Sequence, residues 1–429
     1  MFNNNTILKK MKKNTIGIIG LGYVGLPLLL LLNKLNFEVY GFDISEEKIK
    51  LLKKNISYNS DISSNKLKKL KKNKIFTMNS ISEIKNCDFI IICLPTPLTN
   101  NKPDMSYIEK AFNDSFEYLR KKQTIILESS VYPGATKDIF VNKLSRKFSI
   151  GKNFFLAYSP ERIDPGHANL TPYENITKLV SGYSKNCEKK IVNLYKRIFK
   201  KIYLTSSVEV AEFAKLFENT FRSVNIGLVN EMKMLAEKMK INIHQVISAA
   251  KTKPFGFKAF RPGPGLGGHC IPIDPVFISW VGKKIGFKTQ FINLGVKTNK
   301  NVSDWIIDKI INFNKKKKIK NLLILGIAYK ANINDYRESP AVYIFKKLKI
   351  NCNFKIDYYD PFISEIKINN KLIKSIPNIK KNILEKYDAI AVLTDHKKIN
   401  FNLVLKNSKI IYDTRGVFQN VISSKVMHL

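Results

Sequence analysis

Short, nearly uninterrupted apolar runs alternate with longer polar segments through the first half of the chain. The first run, TIGIIG from Thr15, is followed by a glycine turn and a helix-compatible segment at about 24–36. Further runs predict buried strands: EVYGFD (38–43), CDFIIICLP (87–95), QTIILESS (123–130), FFLAYSP (154–160) and KLVSGY (178–183). Strands that are apolar on both faces and alternate with helices predict a parallel, doubly wound sheet.

Helical periodicity replaces this pattern after residue 205. Residues 206–240 contain no proline, and Ser206 with Glu209 predicts a capping box at the start of a long helix. Apolar residues recur with helical spacing at Val210, Phe213, Phe217, Phe221, Val224 and Leu228. Such a long helix is expected to link two domains and to present a face to a partner subunit.

A second alternating pattern begins after the lysine run at 315–318. Its apolar runs are NLLILGIAYK (321–330), KIDYYDP (355–361), YDAIAVLT (387–394) and KIIYDTRG (409–416). The predicted fold class is therefore α/β, with two Rossmann-like doubly wound domains joined by a long central helix and a helical middle domain. The predicted domain ranges are 12–205, 206–314 and 315–429.

One apolar segment, at 16–32, imitates a membrane anchor because it is uncharged and follows KKMKKN. It is short for a membrane-spanning helix and contains four glycines and a proline. A strand, a turn and a buried helix explain it better, so we predict no membrane segment.

Composition adds two constraints. The formal net charge is +39, which suits either a nucleic-acid or membrane-surface binder or an enzyme with an anionic small ligand. No recognisable nucleic-acid module accompanies the charge, so nucleic acid is not expected to be the main partner. The five cysteines are odd in number and include no C-x-x-C pair, which argues against disulfides and zinc and favours a reducing cytoplasm.

The segment GLGYVG supplies Gly20, Gly22 and Gly25 between a strand and a helix. Glycines let the backbone approach a pyrophosphate, and the helix N-terminus offers unpaired N–H groups. Asp43 closes the second strand, where a carboxylate would accept ribose hydroxyls and repel a 2′-phosphate, so NAD is favoured over NADP. The alternative is a glycine turn with no ligand. The expected cofactor residues are Gly20, Gly22, Tyr23, Val24, Gly25, Asp43, Thr96 and Glu128.

Thr96, Glu128 and Thr136 lie on loops that follow strands of the same domain, where ligands of open parallel sheets bind. Each residue taken singly fits ordinary turn chemistry equally well. On the long helix, Lys215 and Asn219 are four residues apart and so share one face. Such spacing usually means a solvated face, but the aromatic residues around this pair favour a polar pair that points into a site.

The segment PGPGLGGHCIPIDP (262–275) places Cys270 directly behind a run of glycines and prolines. The glycines predict a mobile loop, and an accessible thiol on such a loop can reach a reacting carbon, which indicates a nucleophile. Asp274 is a candidate acid–base group and, because Pro275 follows it, also a good helix N-cap; both interpretations can hold at once. His269 is expected to be a structural or substrate contact, because no second ligand lies at metal spacing, and we predict no metal.

These segments together resemble the nucleotide-sugar 6-dehydrogenases, the family of UDP-glucose and GDP-mannose dehydrogenases. The resemblance extends over almost the whole chain, from IGIIGLGYVGLPL through YSPERIDPG, EFAKLFENTFR and PGPGLGGHCIPIDP to LGIAYKANINDYRESPA. It implies oxidation of a primary alcohol to a carboxylate with two NAD, a role in polysaccharide biosynthesis, and a homodimer or higher homo-oligomer.

The resemblance also implies residue roles. Lys215 and Asn219 would stabilise the oxyanion that forms as C6 loses a hydride. Cys270 would hold the aldehyde as a thiohemiacetal and then as a thioester. Asp274 and Glu161 are candidate general bases, and Thr136 would help to place the water. The expected substrate-binding residues are Glu161, Arg162, Lys215, Asn219, Arg222, Arg261, Gly267, His269, Lys330 and Arg337, of which Lys330 and Arg337 would hold the diphosphate and Arg261 would reach the substrate of a neighbouring subunit.

A histidine directly before the cysteine resembles the pattern of one branch of the family, which oxidises UDP-N-acetylhexosamines. UDP-N-acetyl-D-glucosamine is therefore the expected substrate. UDP-glucose, UDP-N-acetylgalactosamine and UDP-N-acetylmannosamine remain alternative substrates. A non-catalytic nucleotide or nucleic-acid binder is a further alternative, as is a one-step dehydrogenase or epimerase, which would have no use for Cys270. Two positions depart from the family pattern: Ser130 stands where threonine is commoner, and Gly416 stands where asparagine is usual.

Overall fold

The computed structural model describes residues 14–59, 62–70, 74–77, 80–163 and 173–429. The chain divides into two compact units, Met1–Leu216 and Phe217–Leu429. The first two residues of the predicted first domain and the IDPG end of YSPERIDPG beyond Ile163 lie outside the described residues. The three predicted domain ranges stay a prediction.

The first unit contains an eight-stranded sheet with the strand order β10-β9-β8-β7-β4-β1-β2-β3. A two-residue antiparallel pair, β5 and β6, lies outside it. The strands are β1 (Thr15–Ile19), β2 (Glu38–Phe42), β3 (Lys74–Thr77), β4 (Phe89–Ile92), β5 (Leu98–Thr99), β6 (Lys102–Pro103), β7 (Thr124–Leu127), β8 (Phe155–Tyr158), β9 (Lys178–Gly182) and β10 (Ile202–Leu204).

Pairing in the large sheet is parallel except between β8 and β9, which run antiparallel. The doubly wound fold predicted from the apolar runs is confirmed, and all six strands predicted in this half are present. The sequence did not predict β3 and β10, whose lysine-rich or exposed surroundings hide the apolar pattern. The strand order reverses between β1 and β4, which places a ligand crevice beyond their carboxyl ends.

Helices cover the sheet of the first unit and supply its core. They are α1 (Gly25–Lys34), α2 (Glu46–Lys53), α3 (Ser64–Lys68), α4 (Ser106–Ser115), α5 (Ala135–Ser145) and α6 (Lys185–Tyr195). The leucine run of α1 packs on the sheet, and Leu28, Leu29 and Leu32 are fully buried. The membrane-like segment is therefore a core strand followed by a core helix. No helix within the described part of the chain has the length and hydropathy that crossing a bilayer requires.

The long helix predicted after residue 205 is α7, Val208–Lys238. Its cap lies one residue later than predicted, because Ser207 rather than Ser206 accepts the N–H of Val210, at 3.3 Å. The predicted apolar stripe is exposed in the single chain: Phe217 is 60% and Leu228 59% accessible. An exposed stripe of this kind lacks the burial that normally stabilises a helix face.

The second unit contains a five-stranded sheet with the order β12-β11-β15-β16-β17, parallel throughout. Its strands and a separate hairpin, β13–β14, are β11 (Asn321–Leu325), β12 (Lys355–Tyr359), β13 (Glu365–Ile368), β14 (Lys371–Lys374), β15 (Ala389–Val392), β16 (Ile411–Asp413) and β17 (Val426–His428). The four predicted strands are present; the hairpin and β17 were not predicted.

The remaining helices of the second unit are α8 (Ile243–Ala250), α9 (Asp274–Lys284), α10 (Gln290–Lys317), α11 (Pro340–Asn351), α12 (Lys381–Leu384) and α13 (Phe401–Asn407). Helices α7 and α10 approach closely where two glycines face each other. A Cβ on Gly227 would lie 3.1 Å from the carbonyl oxygen of Gly295. This contact holds the two long helices of the unit together without intervening side chains.

Candidate active site

The glycine motif after β1 forms a tight turn with no room for side chains at Gly20 and Gly25. Gly20 has φ +94°, and a Cβ on it would lie 2.5 Å from the carbonyl oxygen of Cys93. A Cβ on Gly25 would lie 1.9 Å from the carbonyl oxygen of Gly20, so the start of α1 packs directly on the turn. Gly22, in contrast, faces open space. The turn therefore fits a pyrophosphate that approaches the backbone at Gly22.

Asp43 lies beside this turn, as predicted. Its Oδ2 accepts the N–H of Leu21 at 2.9 Å and its Oδ1 accepts the N–H of Ser45 at 2.9 Å. Lys48 Nζ lies 3.3 Å from Oδ2, a contact that the sequence reasoning missed. Lys48 lies five residues after Asp43, on the helix that follows the strand, and this spacing could have indicated the contact. The carboxylate is therefore fixed beside the glycine turn, and its expected contact with a ribose stays a prediction.

The other expected cofactor residues differ in exposure. Tyr23 and Val24 are partly buried in the first turn before α1. Thr96 is also partly buried, and its hydroxyl donates to the carbonyl oxygen of Ser130 at 2.7 Å. This bond links the loop after β4 to the loop after β7, which are adjacent at the carboxyl edge of the sheet.

The Glu128 side chain is buried inside the protein and does not face solvent. It is only 1% exposed, and its Oε2 accepts from Lys178 Nζ at 2.9 Å. Its Oε1 accepts a hydrogen bond from the hydroxyl of Tyr195. Burial raises the pKa of Glu128, Lys178 opposes that shift, and Glu161 adds to it. The Glu128 side chain is thus engaged within the protein, and Lys178 is a residue that sequence reasoning missed.

Glu161 belongs to the same cluster. Its Oε2 accepts from Lys178 Nζ at 2.7 Å. Its Oε1 accepts the backbone N–H groups of Arg162 and Ile163, at 2.7 and 2.6 Å. Arg162 itself donates to the carbonyl oxygen of Thr177 at 2.9 Å. The segment after β8 is therefore folded around the Glu161 carboxylate.

Thr136 is fully buried at the start of α5. Its hydroxyl donates to Glu212 at 2.6 Å, and Glu212 also accepts the N–H groups of Thr136 and Gly134, at 2.9 and 2.6 Å. Burial raises the pKa of Glu212 to about 7 against these donors. Glu212 thus caps α5 from α7, and the Thr136 hydroxyl is committed to that cap. Its expected role in placing water stays a prediction.

Helix α7 carries the polar pair predicted from its spacing. Lys215 is 7% and Asn219 5% exposed, so both lie buried on one face rather than on a solvated one. Arg222, three residues beyond Asn219, is partly buried. The interpretation as a polar pair aimed into a site is the one that this burial favours.

Asp274 is the first residue of α9, but it does not cap that helix with its side chain. Residue Ile273 occupies the N-cap position and makes no side-chain cap bond. The Asp274 carboxylate, 1% exposed, instead accepts from Asn219 Nδ2 at 2.6 Å. The N-cap interpretation is wrong, because the carboxylate points to α7. The structure therefore brings together two of the residues predicted to be catalytic.

Cys270 is exposed, immediately before this helix. Its carbonyl oxygen accepts the N–H of Asp274 at 2.9 Å, so thiol and carboxylate lie on one short turn. The glycines before it are closely packed, not loose: a Cβ on Gly267 or Gly268 would lie 2.6 or 2.7 Å from atoms of Tyr329. These glycines bring the loop against the β11 loop and hold Cys270 in place, whereas the sequence had indicated a mobile loop.

Two predicted substrate residues lie on the same loop. Arg261 and His269 are exposed. Although part of the His269 surface is exposed, the ring is partly covered; that burial, and next the Arg337 guanidinium, lower the pKa of the imidazole, so the neutral ring is favoured. Within the described residues, no three His, Cys, Asp or Glu side chains group as a metal site.

Lys330 and Arg337 follow β11, at the point where the order of the second sheet reverses. Arg337 pairs with Asp335 through Nε at 2.9 Å and Nη2 at 2.6 Å. A cavity of about 500 Å³ in this unit is lined by Arg337, Lys300, Lys346, Lys367, Leu266 and Ser223, among others. Its cations suit an anionic ligand.

Three family models match successive segments of the chain. Residues 14–201 match the NAD binding domain of the UDP-glucose/GDP-mannose dehydrogenase family, residues 209–301 its central domain, and residues 323–420 its UDP binding domain. Together the three models account for most of the chain.

The individual proteins that the chain resembles are also named as dehydrogenases of UDP-sugars. The chain is 35% identical over 395 residues to a UDP-N-acetyl-D-glucosamine 6-dehydrogenase of Salmonella typhi, with 89% of this chain and 90% of that protein covered. It is 34% identical over 436 residues to a UDP-N-acetyl-D-mannosamine dehydrogenase of Methanocaldococcus jannaschii, with 97% of each covered. The solved structure of a UDP-D-ManNAc dehydrogenase from Pyrococcus horikoshii is similar at a TM-score of 0.83 and 28% identity, over 96% of both chains.

Proposed function

The chain belongs to the UDP-glucose/GDP-mannose dehydrogenase family, and we propose that it oxidises C6 of a UDP-N-acetylhexosamine, UDP-N-acetyl-D-glucosamine first, to the carboxylate. The enzyme class is NAD-dependent, since the first family model is an NAD binding domain. The proposal adds to this class a covalent two-step route and a substrate.

The observation that carries the proposal is the arrangement of Cys270, Asp274 and Asn219. An exposed thiol lies four residues before a buried carboxylate, and an amide from α7 holds that carboxylate at 2.6 Å. A one-step alcohol dehydrogenase has no use for a nucleophile here. A two-step oxidation needs one, because a free aldehyde would leave before its second oxidation.

The reaction consumes one water and releases the carboxylate and three protons. NAD, which the glycine turn and Asp43 would hold, would supply the acceptor for one hydride from C6 in each of the two oxidations. Lys215 and Asn219 stabilise the oxyanion at C6 as the first hydride leaves. The Cys270 sulfur then bonds to the aldehyde carbon as a thiohemiacetal, and loss of the second hydride converts it to a thioester. Water, deprotonated by Asp274 or Glu161, cleaves the thioester and regenerates the thiol.

The cations beyond β11 support a diphosphate ligand. Arg337 is paired with Asp335 and lines the cationic cavity of about 500 Å³. Guanidinium groups bind phosphate oxygens with two hydrogen bonds, so we assign the pyrophosphate of the UDP-sugar to Arg337 and Lys330.

The sugar is the finer part of the proposal. Histidine before Cys270 favours an N-acetylated hexosamine, and the Salmonella relative is named for UDP-N-acetyl-D-glucosamine. UDP-N-acetyl-D-mannosamine is the second candidate, because the relative from Methanocaldococcus is named for it at nearly the same identity. The two sugars differ only in configuration at C2.

NADH formation with each of five sugar nucleotides tests the proposal: UDP-glucose, UDP-N-acetylglucosamine, UDP-N-acetylgalactosamine, UDP-N-acetylmannosamine and GDP-mannose. We expect two NADH per sugar, with UDP-N-acetylglucosamine giving the highest kcat/KM. Cys270→Ala should lower steady-state turnover at least about 1,000-fold. In the wild-type protein, rapid acid quench and mass spectrometry should trap an acyl adduct on Cys270. One NADH per sugar, or full activity of Cys270→Ala, would refute the covalent route.

We also propose a cytoplasmic homodimer or higher homo-oligomer. The support is the exposed apolar stripe along α7, in which Phe217, Phe221 and Leu228 are each more than 40% accessible. Contiguous exposed apolar surface of this kind marks association sites.

A further inference from the structure

A buried lysine lies between two buried carboxylates at the carboxyl edge of the first sheet. Lys178 Nζ lies 2.9 Å from Glu128 Oε2 and 2.7 Å from Glu161 Oε2. The lysine side chain is 2% exposed, and those of Glu128 and Glu161 are 0% and 9% exposed. Burying three ionisable groups costs desolvation free energy unless their charges pair with one another, so this cluster needs an explanation.

The antiparallel strand brings the lysine there. In the register of β8 with β9, Ala157 pairs with Gly182 and Tyr158 with Ser181. Continued by three residues, that register places Lys178 opposite Glu161. A parallel β9 would start at the opposite edge of the sheet, so the single reversed pairing delivers a cation to the end where ligands bind.

The charges within the cluster do not balance. One lysine faces two carboxylates, and burial together with Glu161 raises the pKa of Glu128. The two carboxylates hold the pKa of Lys178 above its ordinary value although burial opposes this. Glu128 also accepts from Tyr195, while Glu161 accepts two backbone N–H groups. The thiol of Cys93 faces all three groups, and burial raises its pKa, so the neutral thiol adds no charge to the cluster. Lys178 thus favours ionised Glu161, and Glu128 disfavours it.

We propose that Lys178 is a positioning residue that keeps the Glu161 carboxylate ionised and fixed as a general base, with Glu128 as an opposing charge that tunes its basicity. This inference rests on the proposed function for the reaction in which Glu161 acts. It assigns Glu128 to the support of Glu161 through Lys178, in place of a contact with the cofactor.

Two neutral substitutions test the proposal with opposite signs. In Lys178→Met, Glu161 loses its cation, so the acidic limb of the kcat–pH profile should move to higher pH by about 1 to 2 units. In Glu128→Gln, Glu161 loses a like charge and keeps the lysine, so the limb should move to lower pH. Lys178→Arg should restore the wild-type limb. A purely structural cluster would lower the amplitude of all three variants without moving the limb, and that result would overturn the proposal.

Glu128→Gln and Lys178→Arg keep the test decisive if Lys178→Met does not fold, because the downward shift and the restored limb are required independently. A readout without turnover separates this inference from the proposed function. The Glu161 carboxyl can be titrated by ¹³C NMR in glutamate-labelled protein, with its signal assigned by its loss in Glu161→Gln. A wild type that forms no NADH refutes the proposed function alone; unchanged Glu161 titration in Glu128→Gln refutes the role of the cluster alone.

Discussion

The imidazole ring of His244 occupies the space in which a side chain on Gly416 would begin. A Cβ at residue 416 would lie 2.3, 2.4 and 2.6 Å from the Cε1, Nδ1 and Nε2 atoms of that ring. Gly416 also has φ +70°, a conformation that glycine adopts without strain. The glycine that departs from the family pattern is therefore matched to the histidine on α8, and the departure has a packing reason.

Substitution at this contact should show strong coupling. Gly416→Ala is expected to cost about 2 to 4 kcal/mol in the free energy of unfolding, since it adds both overpacking and backbone strain. In the His244→Ala background the overpacking is gone, so the same change should cost about 1 kcal/mol. Chemical denaturation of the wild type, Gly416→Ala, His244→Ala and the double variant completes a double-mutant cycle, which measures the coupling free energy between the two residues. Equal costs in both backgrounds would show that His244 does not occupy this space.

Local patterns were sufficient to predict most of the fold. The apolar runs that became β1, β4 and β11 are buried on both faces, so sequence alone located them. Gly20 and Gly326 mark the turns after β1 and β11, and Pro95 marks the end of the run that contains β4. The strand β10 was missed because it is short, and two of its three residues are exposed. Period and burial carry the signal, and β10 has neither.

The site was predictable where a residue acts through its own type and spacing. Cys270, Asp274 and Asn219 were found because thiol, carboxylate and amide stand out in a glycine-rich or aromatic context. Lys178 could not be found, because a lysine beside an apolar run gives no sign of burial until the antiparallel register places it opposite Glu161. Long-range pairing, which one sequence does not display, decides such contacts.

Lys233 on α7 is a second buried lysine, with a destabilising effect. It is 3% exposed, and its ammonium makes no hydrogen bond to any part of the chain that the structure describes. Burial lowers its pKa to about 7 from 10.5; the facing Asp413 opposes that shift and Arg415 adds to it. Since the unfolded chain binds this proton more tightly, wild-type stability should rise with pH between about 7 and 10.5.

Lys233→Met should therefore stabilise the protein at pH 7 by an amount on the order of 3 kcal/mol, and the gain should vanish near pH 10.5. The ring of Trp305, 5.6 Å from the ammonium, provides a fluorescence readout of unfolding. Lys309→Met is the matched control, because Lys309 lies 5.5 Å from the same ring but is 35% exposed and paired with Glu237. A gain for Lys233→Met that stays constant with pH would contradict the argument.

Asp43 should set the cofactor preference. Its carboxylate is fixed by the N–H groups of Leu21 and Ser45, and in the predicted role it would accept a hydrogen bond from a ribose hydroxyl and repel a 2′-phosphate. Asp43→Asn should lower the ratio of kcat/KM for NAD to that for NADP at least about tenfold, as expected for loss of a hydrogen bond to a charged group. Glu46→Gln, a change at the exposed start of α2, should leave the ratio unchanged. A preserved ratio in Asp43→Asn would place the ribose elsewhere.

The apolar stripe of α7 should hold two copies of the chain together. A charge within the stripe must be desolvated on association, so Leu228→Lys should weaken the dimer at least about tenfold and move the mass by light scattering toward the 49.3 kDa of one chain. Ile422→Lys is the control, since Ile422 is an exposed apolar residue far along the chain from the stripe. If Arg261 reaches the substrate of a neighbouring subunit, as the family resemblance predicts, dissociated Leu228→Lys should also show a raised KM for the UDP-sugar, which falls as the protein concentration increases. A monomeric wild type, or a Leu228→Lys dimer as tight as the control, would rule out the stripe as the interface.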